Sequence, residues 1–114
     1  MARKLNLERL ARDATVAFVP HDVASIDDYH AFVVLFEGTF PWHEHEQDEM
    51  FIVLEGELRV EFKGGPKATT LGPMDVLKVD KGVVHQTVAP RRARALVFEK
   101  RSVTVATLGE SGGE

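Results

Sequence analysis

The chain has 114 residues, 44% of them hydrophobic and 28% charged, with a formal net charge of -4. That length suits one domain with a real core, and the balance argues against general disorder and against the basic stripe that tracks a phosphate backbone, so no nucleic acid is expected as partner. Cysteine is absent, which removes disulfides, thiolate metal sites and cysteine nucleophiles together, and any metal must be held by nitrogen and oxygen.

The N-terminal MARKLNLERLARDA breaks its leucines with charges and lacks the continuous apolar stretch of a secretion signal, and no later run approaches the length of a membrane span. A cytoplasmic protein with no membrane partner is the expectation. Residues 4–14 form the one expected helix: Asn6 can cap it, and Leu7, Leu10 and Ala11 recur on one face. Residues 1–29 are read as this helix and a lead-in, 30–106 as the main β unit and 107–114 as a flexible, polar, glycine-rich tail.

From residue 30 the pattern changes to short β-branched and aromatic runs cut by glycine and proline. Strands are expected over 30–37, 49–54, 57–63, 67–71, 75–79, 85–88, 93–100 and 102–106, with turns at 38–41, 56, 64–66, 72–73 and 81–82. MFIVL is apolar on both faces and should be a central strand, whereas ELRVEFK alternates and should have one wet face. Arg91, Arg92 and Arg94 read as a solvated turn between two strands, with anion or partner binding as the other reading. Short strands this closely spaced indicate a sandwich or barrel.

The stretch FPWHEHEQDEMF places His43 and His45 two residues apart, so on an extended segment both rings point to one face. Glu49 opens the next strand and shares a face with Phe51 and Val53, while Met50, Ile52 and Leu54 share the other. A carboxylate joined to that much apolar surface needs a partner, and a metal would supply one. His85 follows the Lys81-Gly82 turn and starts another strand, with Thr87 on its face. Glu44, Glu46 and Asp48 read as the solvated side of the loop, although Asp48 is near enough to compete with Glu49.

Gly38, His43, His45, Glu49 and Gly56 resemble the first motif of the cupin superfamily, and Gly82 and His85 resemble part of the second, where Met74, Asp80 and Ala89 stand in place of glycine, proline and asparagine. The stretch GTFPWHEHEQDEMFIVLEGELRVEF is similar to small bacterial cupins of the mannose-6-phosphate-isomerase-like group. The resemblance implies an all-β fold, the cupin double-stranded β-helix or jelly-roll barrel with a short N-terminal helix, and one divalent metal held by His43, His45, Glu49 and His85.

Three neutral imidazoles and a carboxylate suit iron, manganese, nickel, zinc or copper better than magnesium or calcium. In an octahedral ion such a set leaves positions open for water, for a substrate, or for substrate with dioxygen. The expected function is a metal-dependent dioxygenase or isomerase acting on a small oxygen-rich substrate, and the alternative is a non-enzymatic small-molecule-binding or sensor module with a structural metal. Phe36, Phe40, Trp42, Phe51, Lys78 and Thr87 are the candidate pocket residues; Phe36, Phe40 and Trp42 also read as packing at the barrel mouth, and Lys78 reads as an exposed strand lysine ahead of an inward positive charge. His21 and His30 are read as surface or supporting residues. The apolar face of Met50, Ile52 and Leu54 must be covered by other strands, the helix or a second subunit, and a homodimer is expected.

Overall fold

In the computed structural model, residues 1–65, 67–101 and 105–107 are described, the last three as backbone only. Helix α1 (Leu7–Asp13) begins where expected: the Asn6 side chain accepts a 2.9 Å hydrogen bond from the Arg9 N–H, satisfying one of the free donors of the first turn. Among the described residues eight strands follow: β1 (His21–Ile26), β2 (Tyr29–His45), β3 (Glu49–Glu55), β4 (Leu58–Phe62), β5 (Thr69–Leu71), β6 (Val76–Val79), β7 (His85–Lys100) and β8 (Val105–Thr107). All their pairings are antiparallel.

The organising element is the long β2–β7 ribbon. Its first half, Tyr29–Phe36 against Ala93–Lys100, continues outward to β1 on one side and to β3 and β6 on the other. Its second half, Gly38–His43 against His85–Ala89, continues to β8 on one side and to β4 and β5 on the other. The ribbon changes register between Phe36 and Gly38, where Gly38 takes a φ of +73°, so the same two strands serve both sheets of a jelly roll. The bend returns both ends of the ribbon to one end of the barrel.

Between the sheets lies a core of Val34, Phe36, Phe51, Val53, Leu58, Val60, Leu71, Val79, Ala93, Ala95 and Val97. The β3–β4 turn tucks against the bend of β7 so closely that a Cβ on Gly56, which has φ +82°, would sit 2.3 Å from the Arg92 carbonyl oxygen. Only glycine fits there. On the outer face of the first sheet, α1 covers part of the apolar surface: Ala11 and Ala14 pack with Val33 and Leu35, joined by Leu54 and Leu96.

Three sequence expectations change. Arg91, Arg92 and Arg94 are not in a turn, because residues 85–88 and 93–100 belong to one strand that bends, its register to β2 shifting between Ala89 and Ala93. Arg94 is held at its half-buried end by the Ala14 carbonyl at 3.0 Å and by Glu55 at 3.3 Å, which ties the helix to the sheet. The expected turn at 38–41 is likewise inside β2. A strand also forms at His21–Ile26, inside the expected lead-in, where Asp22 and Ser25 mask the β pattern. The expected strand over 102–106 corresponds to β8, with residues 102–104 outside the described ones, as are residues 108–114 of the expected tail.

Candidate metal centre

His43, at the end of β2, and His85, at the start of β7, are register partners across the ribbon, with ring centroids 4.2 Å apart. His45 lies two residues beyond His43, its ring 5.0 Å from the His43 ring and 5.7 Å from the His85 ring. Glu49 opens β3 and brings Oε1 to 3.2 Å from His45 Nε2 and 3.7 Å from His85 Nε2. All four side chains are buried. One ring nitrogen from each of the three histidines falls within 4.8 Å of the others.

The same local device orients two of the rings. His43 Nδ1 is 2.8 Å from the Pro41 carbonyl, and His85 Nδ1 is 2.8 Å from the Val83 carbonyl. A carbonyl only accepts, so each Nδ1 carries the proton and each Nε2 presents a lone pair. Burial, reinforced by the neighbouring His85 and His45, holds His43 down to about 4, so this ring is neutral at ordinary pH. Burial pushes Glu49 upward, but the neighbouring His45 imidazole outweighs it and holds the carboxyl well below the usual carboxylate range. For His45, burial acts downward and the Glu49 carboxylate outweighs it, raising its pKa.

These donors have no partners of their own. Among the described residues, His45 Nδ1 and Nε2, Glu49 Oε1, His85 Nε2 and Thr87 Oγ1 are buried without a hydrogen bond; the short His45–Glu49 approach lacks the alignment of one. Orphaned buried donors and acceptors are rare and costly. Their convergence, with two tautomers fixed to aim lone pairs inward, fits a divalent transition metal held by nitrogen and oxygen.

Next to the cluster is a cavity of about 170 Å³ with Phe36, Phe40, Phe51 and Thr87 in its wall. Two expected pocket residues are elsewhere. Trp42 points away from the interior, beneath the Lys63 ammonium, 5.6 Å from its ring centroid. Lys78 is outside as well, paired with Asp80 at 2.6 Å and Asp48 at 3.6 Å, because its strand turns Leu77 and Val79 inward. Asp48 is thereby accounted for: it is exposed, and it accepts a 2.9 Å hydrogen bond from the Lys81 N–H.

Two residues that the sequence reading passed over belong to the site. Glu99 is the register partner of Glu49, and its carboxylate lies within 4.8 Å of the ligand atoms of both His45 and Glu49. Burial, then the charge of Glu49, lift Glu99 to about 7. His30 Nε2 lies 3.6 Å from the Glu99 Oε2. The alternation Ala93, Ala95, Val97, Glu99 carried the signal, an acidic side chain on an otherwise apolar inward face. Phe18, in the loop after α1, packs its ring 5.9 Å from Phe36 and 5.3 Å from Phe40 and forms part of the cavity wall. No sequence periodicity reaches a loop residue.

Fold and site together define a double-stranded β-helix with a histidine-rich, buried cluster at one end of its interior. The family model described as Cupin domain matches residues 31–99, and the chain belongs to the cupin family. It is 32% identical to the uncharacterized protein YdbB of Bacillus subtilis, over 96% of this chain and 97% of that one. Among solved structures, a cupin-2 domain containing protein from Shewanella frigidimarina superposes with a TM-score of 0.80 and 32% identity, covering 85% of this chain and 94% of that one. The DMSP lyase DddQ from Ruegeria pomeroyi superposes with a TM-score of 0.69 and 25% identity, covering 92% of this chain and 59% of that one.

Proposed function

We propose that the chain is a metal-dependent enzyme in which His43, His45, Glu49 and His85 hold one divalent first-row ion, and that small molecules react in the adjoining cavity. The observation that carries this reading is the convergence of unpartnered, buried ligand atoms on the floor of that cavity. When bound, the ion would supply Lewis acidity toward an oxygen of the substrate or, if redox-active, a route to dioxygen chemistry. The surrounding residues do the rest: His43 and His85 are locked by backbone carbonyls, and phenylalanines make most of the cavity wall apolar. Glu99, a carboxyl in the cavity wall beside the ligand set, is placed to take or give a proton beside the bound molecule.

Of the two reaction classes that the donor set suits, dioxygenase is favoured over a sugar-phosphate isomerase. Among the described residues no lysine or arginine lines the cavity, so a phosphate would meet Glu49 and Glu99 without a cationic side chain. The non-enzymatic reading loses ground to Glu99, which supplies an acid–base group beyond the ligand set. A DMSP lyase among the structural relatives shows that this fold hosts catalysis on small molecules.

The test has two parts. Elemental analysis of protein purified without added metal should find about one iron per chain in the wild type and almost none in His43→Ala. Turnover of a substrate found by screening small organic molecules under air should cease in His85→Ala while the circular dichroism spectrum is kept. Zinc or nickel with oxygen-independent turnover would move the assignment to isomerase; no metal and no affinity for one would end the reading.

A homodimer is part of the proposal. The half of the outer face that α1 leaves bare carries the stacked Tyr29 and Phe98 rings, 5.7 Å apart, with Met50 beside them and Val76 56% exposed. Sedimentation should give twice the chain mass at micromolar concentration, and a monomer there would remove this element. No helix among the described residues is long and apolar enough to cross a membrane.

A further inference from the structure

The cavity beside the histidine cluster is divided by chemistry. One end holds all its polar groups, His43, His45, Glu49, Thr87 and Glu99. The remaining wall is apolar, dominated by Phe18, Phe32, Phe36, Phe40 and Phe51. Several of these rings meet edge to face: Phe18 with Phe36 at 88°, Phe36 with Phe51 at 75°. Such a lattice presents ring faces and edges to whatever lies between them, the arrangement that another flat ring extends.

Size narrows the occupant. A cavity of about 170 Å³ is close to the roughly 150 Å³ of an engineered apolar cavity known to take benzene. A hexose has twice the heavy atoms of benzene and would press most of its hydroxyls against phenylalanine. Each hydroxyl stripped of water without a new partner weakens binding about tenfold or more. A molecule with oxygens at one edge only avoids that cost.

Phe18 closes the side on which β2 passes from one sheet to the other, with contacts to Phe36 before the bend and Phe40 after it. It does so in the left-handed region, φ +64°, unusual for a bulky side chain, and its N–H is tied to the Leu35 carbonyl at 2.8 Å. With 36% of its surface exposed, the ring is the cavity wall that solvent reaches.

We propose that this cavity binds a small single-ring, largely apolar molecule carrying its oxygen donors on one edge, donor edge toward the histidine cluster and ring against the phenylalanine wall that Phe18 completes. The donor edge rests on the metal reading given above; the ring preference rests on the wall alone. This sharpens the expected oxygen-rich substrate to one whose oxygens are confined to an edge.

The two parts are separated by choice of probe. Fluorobenzene, followed by fluorine NMR, should bind the metal-free protein saturably, and Phe18→Ser should weaken that binding about tenfold while the melting temperature stays near wild type. With metal-loaded protein, benzoate should bind at least about tenfold tighter than acetate, which shares its carboxylate, and glucose should show no saturable binding. If fluorobenzene binds but metal adds nothing to benzoate affinity, the ring preference is upheld and the metal reading fails. If fluorobenzene does not bind, or if acetate or glucose matches benzoate, the ring preference is overturned whatever the metal does.

Discussion

The two halves of the barrel interior share strands β3 and β7 and treat burial in opposite ways. In one half Val53, Leu58, Val60, Ala93 and Ala95 are fully buried, apolar and closely packed. In the other, His43, His45, Glu49, His85 and Thr87 are just as buried, but most of their polar atoms face one another without hydrogen bonds. Apolar packing stabilises the first half outright, whereas the second is costly until something bridges its donors. The barrel is thus held together at one end and poised for a ligand at the other.

The most disruptive way to break that contrast is in the apolar half. Leu58→Ala, at a site with no exposure, should cost about 3 kcal/mol in urea unfolding, while metal affinity of the folded fraction stays at the wild-type value. The converse change is His85→Ala. It should lower metal affinity by about 100-fold in titration calorimetry, yet alter metal-free stability by less than about 1 kcal/mol, because the residue it removes is poorly satisfied.

Glu99 sharpens the contrast through pH. Its pKa is raised in the fold from 4.5 to about 7, so the stability it contributes is fully present below pH 4.5 and is lost as pH rises through 7. Metal-free Glu99→Gln should therefore melt higher than wild type at pH 8, by about 1–2 kcal/mol after allowance for solvent screening, and the gap should close by pH 4. Equal melting temperatures at both pH values would mean that Glu99 is ionised without penalty.

The smallest effect lies outside both halves. Met74 stands where the second cupin motif has glycine, and it keeps the left-handed backbone, φ +74°, that glycine favours; its N–H donates to the Val53 carbonyl at 2.7 Å. The side chain is exposed, so Met74→Gly loses little packing. It should stabilise by up to about 1 kcal/mol and leave metal binding untouched, which thermal melting with and without metal would check.

Where the sequence was legible, a local rule had one solution. Alternation placed Glu49, Phe51 and Val53 on the inner face, the two-residue spacing placed His43 with His45, and Asn6 marked the start of α1. The rest depends on how distant segments meet. PRRAR reads as a turn because charge and proline cluster there, yet β7 continues across it, its pairing to β2 resuming at Ala93 after a shift of register. Lys78 could be placed on a face but not on the correct side of the barrel until the burial of Val79 fixed which side was interior. Glu99 is marked locally only as an acid on an inward apolar face and becomes a site residue through pairing with Glu49, while Phe18 becomes one through contact with Phe36, which has no trace in its own neighbourhood.

The central claim, that the unsatisfied half of the barrel is a metal centre, is tested most directly by a crystal structure of the metal-loaded protein with an anomalous difference map recorded at the absorption edge of the bound metal. The account predicts one peak, about 2.0–2.2 Å from the Nε2 atoms of His43 and His85, a ring nitrogen of His45 and a Glu49 carboxylate oxygen. A peak only at the exposed carboxylates of Glu46 or Asp48, with the histidine cluster bare in a saturated crystal, would contradict it.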